Sequence, residues 1–202
     1  MHGESSRIRW GIFASVMVAS FTASTGLFIA VAQGALAASF TISNQKMKIS
    51  TERTDGAGFI EYAATDRRYD GKRIPVLVSG LKFAKSKGIC QSTVFQNIPL
   101  IGTYTVKVTT EESTARDSYT DIIRTVAGTT TVTGERSGVA TGSDTKGPGI
   151  KEGDKVDPAG AARDSDSIVV TDSKQIVLAT STGSAESSGV TVRIHKGLDE
   201  CF

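Results

Sequence analysis

Thr93-Val94-Phe95-Gln96-Asn97-Ile98-Pro99-Leu100-Ile101, followed across Gly102-Thr103 by Tyr104-Thr105-Val106-Lys107-Val108-Thr109, is the stretch that decides the fold class. Both runs are short, rich in Val, Ile, Thr and aromatic residues, and separated by a turn residue, which is the composition of strands. The pattern extends in both directions. Upstream lie Phe40–Ser43 and, after a turn at Asn44, Met47–Ser50, with apolar residues at alternate positions. Thr54-Asp55-Gly56 predicts a turn before a strand at Phe59–Tyr62, and Asp70-Gly71 is a hairpin signal before an apolar strand at Ile74–Val78. Gly80–Gly88 reads as strand or as a single helical turn. Downstream, Tyr119–Thr133, Ile168–Thr180 and Val190–Ile194 supply the remaining strands.

No segment after residue 40 sustains a 3.6-residue apolar period. The expectation is an all-β domain, a single sandwich or partly closed barrel, preceded by an N-terminal apolar helix. The tract Thr129–Thr133 also suits one face of a β-solenoid, but no fixed repeat accompanies it. Gly134–Ser167 breaks the pattern, with seven glycines, twelve charged residues and almost no large apolar side chains. Its composition predicts a long exposed loop joining two β halves.

The N-terminus carries an address. Arg7 and Arg9 precede an uncharged run from Trp10 to Phe40, and Ala35-Leu36-Ala37 supplies an Ala-x-Ala site. This is the order of parts in an export signal. The apolar core, residues 10–32, is as long as the roughly 20 residues that a membrane span needs. The site favours cleavage and the length favours an anchor, so both outcomes stay open. Arg7-Ile8-Arg9 is not a twin-arginine pair, which points to the general export route. The division expected is 1–38 as signal or signal anchor and 39–202 as an exported domain. That domain is either secreted or held at the outer face of the cytoplasmic membrane by residues 10–32.

The charge is balanced, with 23 basic and 21 acidic residues in the whole chain. Nothing there drives binding to nucleic acid. Trp10, the single tryptophan, lies in the export segment, which argues against a Trp platform for sugars and leaves Tyr platforms open. Cys90 and Cys201 are the two cysteines, and in an oxidising compartment they most simply form a disulfide. The alternative, a reactive thiol, needs a basic neighbour, for which Lys87 is the candidate.

The residues offer three kinds of site. Asp144, Asp154, Asp157, Asp164 and Asp166 include the alternating Asp164-Ser165-Asp166 of calcium loops, but Lys146, Lys151, Lys155 and Arg163 are interspersed and no complete motif is present. Zinc is weaker still, since His195 is the one histidine after the export segment. The expectation is therefore no metal and no cofactor. A Ser-His-Asp hydrolase has His195 as its one base and Asp199 four residues on, but no Gly-x-Ser-x-Gly elbow. A surface turn histidine is the plainer reading. Arg67, Arg68, Lys72, Arg73, Lys82, Lys85 and Lys87 stand against Asp70 alone. That patch suits anionic lipid headgroups or envelope polymers, or simply lysines that guard strand edges against aggregation.

Three strings carry a resemblance: GALAASFTISNQKMKIS (34–50), GICQSTVFQNIPLIGTYTV (88–106) and RIHKGLDECF (193–202). Together they resemble a family of actinobacterial exported proteins of unassigned function, many streptomycete members of which are labelled "cholesterol esterase". The junction Gln33–Phe40, Cys90-Gln91-Ser92 and Cys201-Phe202 carry the likeness, and Glu111–Ser167 matches least well. The resemblance implies an envelope or secreted protein, and activity on sterol or other lipid esters. A disulfide between Cys90 and Cys201 would bring Ser92 near His195, the one route to a Ser-His pair, with Asp199 beside them. Two functions are thus expected. One is an exported β domain without a catalytic site that binds lipid, an anionic envelope surface or a membrane-protein partner; the other is an atypical lipid ester hydrolase.

Overall fold

The computed structural model describes residues 41–42 and 45–202, with side chains from Gln45 onward. The expected apolar helix and export signal lie outside these residues. Among the described residues there is no α-helix and no helix long and apolar enough to cross a membrane.

Eight strands form one sheet: β1 (Thr41–Ile42), β2 (Met47–Arg68), β3 (Arg73–Ile98), β4 (Gly102–Val126), β5 (Thr129–Thr133), β6 (Arg136–Ala140), β7 (Ala161–Ser188) and β8 (Thr191–Lys196). Four are very long: β2, β3, β4 and β7 have 22, 26, 25 and 28 residues, against a usual length of about 5–6. Runs that look in sequence like separate short strands are continuous. Thr54-Asp55-Gly56, expected as a turn, pairs in register with Ala84, Lys85 and Ser86 of β3. Gly56 is there for space, because a Cβ on it would come within 2.6 Å of the Leu81 side chain. Gly80–Gly88 is strand throughout. The Asp70-Gly71 hairpin is where the sequence puts it: Gly71 has φ 84° and the Lys72 N–H bonds to the Asp70 carboxylate at 3.0 Å.

The long strands close a ring. β2 pairs with β3, β3 with β4, β4 with β7, and β7 returns to β2 through Met47↔Val177 to Thr51↔Ser173. The closure is partial, because the pairing of β2 with β7 is confined to these five residues of each strand. β8 then takes the place beside Tyr104–Thr109 of β4, while β5 and β6 extend the early half of β7. Of the expected architectures, the partly closed barrel is the one this sheet most resembles.

The main apolar core is at the end of the ring away from β8. Ile60, Tyr62 and Ala64 of β2 meet Val76 and Val78 of β3 and Ala162 and Leu178 of β7, with Val139 and Val156 packed over them. Here the expectation of an exposed loop over 134–167 is corrected. β6 and the start of β7 fall within that range, and Asp164 and Ser165 are fully buried. The irregular part, residues 144–160, is tied to the core by polar contacts. Asp144 accepts the N–H groups of Lys146, Gly147 and Gly149 at 2.9–3.1 Å. Tyr119 Oη donates to the Pro148 carbonyl at 3.2 Å. Gly147 packs so closely on Ile60 that a Cβ would lie 2.5 Å from the Ile60 Cβ. Counting large apolar residues misses an anchorage made of hydrogen bonds and close approach.

Candidate functional site

The residues singled out from sequence fall in separate places. Cys90 on β3 and Cys201 form the disulfide, with Cα atoms 5.8 Å apart. It fastens residues 197–202 across the outside of the ring. Thr105 Oγ1 donates to the Gly197 carbonyl at 2.7 Å and accepts the Asp199 N–H at 3.1 Å. Lys107 holds the Asp199 carboxylate at 2.8 Å, and Lys48 holds Glu200 at 2.9 Å. Phe202 ends between the ammonium groups of Lys48 and Lys174, 5.2 and 5.9 Å from its ring centre. The tail thus crosses β4, β3, β2 and β7 in turn.

Ser92 is part of this fastening. It is 1% exposed, and its Oγ accepts the Cys201 N–H at 3.1 Å. His195 is exposed on β8, opposite Thr105, whereas Ser92 lies opposite Lys107 on the far side of β4. A whole strand separates the two, about 10 Å at the usual spacing of neighbouring strands. The Asp199 carboxylate answers Lys107, whose hydrogen bond holds it below the usual carboxylate range. Ser92, His195 and Asp199 share the vicinity of the tail, yet no hydrogen bond joins them into a relay.

The basic patch divides in two. Arg67, Lys72 and Arg73 are exposed at the β2–β3 hairpin with Tyr69, and Arg68 lies 3.7 Å from Asp70. Lys82, Lys85 and Lys87 lie farther along β3, nine or more residues from Arg73 and so about 30 Å of strand away. Lys85 and Lys87 both face Glu112 of β4, at 2.9 and 3.7 Å. The backbone of β1 pairs in parallel with the hairpin end of β2, Thr41↔Arg67 and Ile42↔Arg68. In the acidic stretch, Asp164 is gripped through two oxygens by Arg136, and Asp166 by Lys146 at 2.9 Å. Among the described residues no group of His, Cys, Asp or Glu is arranged to hold a metal ion.

Two features have no counterpart in the sequence reading. One is a buried ionic network. Lys151 reaches both carboxylate oxygens of Asp121 at 2.5 and 2.6 Å and lies 3.3 Å from Asp154. Tyr62 Oη accepts the Lys151 N–H and donates to Asp154, both at 2.8 Å. Asp66 is buried beside them, and its Oδ2 has no hydrogen-bond partner. Burial first, then the charge of Asp121, pushes the Asp66 carboxyl up to about 6. The other feature is a cavity of about 330 Å³ inside the ring, lined by β2, β3, β4 and β7. Hydroxyl residues recurring at alternate positions in several strands were the available signal. Only the ring shows that those faces meet.

A model of a family of unknown function (DUF6230) matches residues 43–202. The chain belongs to that family. The matched span takes in β2 to β8, the fastened tail and both cysteines. No curated protein and no solved structure matches the chain.

Proposed function

We propose that this is an exported domain of the cell envelope that works by binding and not by turnover, with the β2–β3 hairpin as its contact for an anionic surface. The observation carrying this reading is the juxtaposition at the hairpin. Arg67, Lys72, Arg73 and the 88% exposed Tyr69 are gathered on one turn, with β1 paired along the adjoining end of β2. With the apolar run kept or cleaved, these cations serve an anionic lipid or envelope polymer. A basic residue at such a surface contributes about 1 kcal/mol, and an aromatic with a polar tip suits the headgroup layer.

The ester-hydrolase reading finds less support. Its nucleophile candidate is under the tail with its oxygen engaged, and its base candidate is across β4.

Residues 39–202, free of the apolar run, should co-sediment with vesicles containing phosphatidylglycerol at low salt, and far less at high salt or with phosphatidylcholine alone. Arg67→Gln, Lys72→Gln and Arg73→Gln together should weaken that binding by about two orders of magnitude. Binding indifferent to salt, or unchanged in the triple variant, overturns the proposal.

A further inference from the structure

The ring is not filled the way a small barrel is usually filled. Interiors of this kind are closed by branched apolar side chains. Here 14 of the 23 residues lining the cavity are Ser, Thr or Gln, and none is charged, in a chain of which 22% is charged. Short polar side chains at these positions leave space that larger apolar ones would close. We propose that the ring interior is a binding site for a neutral, polyhydroxylated small molecule, a mono- or disaccharide or a cyclic polyol.

The hydrogen-bonding inventory selects that class. Three hydroxyl pairs line the wall: Thr51 to Ser173 at 3.2 Å, Thr54 with Ser86 at 2.9 Å, and Ser113 with Ser187 at 2.9 Å. One proton serves each pair, so every pair keeps a second proton and spare lone pairs. The wall therefore offers donors and acceptors side by side. An anion would use only the donors, a cation only the acceptors, and an alkyl chain neither, leaving hydroxyls desolvated at about 1–3 kcal/mol each. An alcohol group, which donates and accepts at one atom, matches both. Phe59 and Tyr119 line the same space and give the apolar faces on which the C–H side of a sugar ring packs. The volume lies at the small end of the range usual for ligand sites.

This site is separate from the β2–β3 hairpin, so the two proposals fail independently. The test is an NMR titration of the amides with glucose, maltose and myo-inositol, with inorganic phosphate and 1-octanol as contrasting probes. The expected result is saturable, millimolar or tighter binding of at least one polyol, with shifts confined to the ring strands. Thr182→Phe, which puts a large side chain into the cavity, should abolish it. Thr54→Val with Ser86→Ala keeps the wall's shape, removes one hydroxyl pair, and should weaken binding about tenfold; it decides the matter if the Phe variant does not fold. Neutralising Arg67, Lys72 and Arg73 should leave polyol binding unchanged. No saturable shift with any of the three polyols, tighter binding of octanol or phosphate, or polyol binding indifferent to the hydroxyl-pair variant overturns the proposal.

Discussion

Asp66 is the residue with the sharpest individual consequence. Buried with one oxygen unpartnered and Asp121 nearby, it keeps its proton in the folded state up to about pH 6, against an ordinary value of 3.8. Burial raises Asp121 as well, in opposition to the Lys151 contact. For a group raised on folding, the unfolded chain gives up its proton first as pH rises. Stability is therefore highest below about pH 4 as far as this group is concerned, falls through about pH 6, and is flat above. Asp66→Asn should abolish most of that fall and stabilise the protein at neutral pH by on the order of 2–3 kcal/mol, read from urea midpoints at about pH 4 and pH 7. Equal pH dependence in both proteins would show that Asp66 does not carry it. Nothing in the sequence singles out this group. Asp66, Asp121 and Lys151 lie in three distant segments, and the shift exists only once they are buried together. Ser92 is the converse case. Its place two residues after Cys90 was legible, but its role depends on which atom faces its oxygen, and that atom is the Cys201 N–H.

At the scale of elements, the C-terminal tail is the clearest unit. Residues 197–202 form no strand, yet hydroxyls, ion pairs, a disulfide and the Lys174–Phe202 ring contact hold them to four strands. The disulfide joins residues 111 apart, for which chain entropy predicts a contribution of about 4–5 kcal/mol. Cys90→Ser with Cys201→Ser should lower the unfolding free energy by that order and let the amides of 197–202 exchange freely. An unchanged midpoint with the tail still protected would mean that the non-covalent contacts suffice. The cysteine pairing was legible because two cysteines in one small β domain leave few options. The Asp70-Gly71 hairpin was legible because the turn's needs are local. Strand lengths were not. Thr54-Asp55-Gly56 has turn composition, but Gly56 answers the bulk of Leu81 on the next strand. In residues 144–160, too, a polar and glycine-rich composition concealed packing, with Gly147 under Ile60 and Asp144 gathering three backbone N–H groups.

At the scale of the whole molecule, everything turns on the return of β7 to β2. Five residue pairs, Met47↔Val177 to Thr51↔Ser173, convert a long sheet into a partly closed ring. Amides of β2 and β7 at this closure should be among the slowest to exchange with deuterium. Those of β8, paired on one side only and exposed along its length, should exchange orders of magnitude faster. Comparable rates in the two segments would mean that the closure opens readily. The closure also makes the cavity, since the Ser and Thr faces of four strands surround one space only if the sheet curls back on itself. The sequence alone determined that the domain is β throughout, that its two cysteines pair, and where the first hairpin turns. These follow from propensity, composition and turn chemistry, which act within a few residues or on the chain as a whole. Tertiary structure decided the length of the strands, the ring, the fate of the tail, the division of the basic patch and the burial of Asp66. Each of those depends on which distant segments meet, and pairing register between segments more than a hundred residues apart leaves no local trace in the chain.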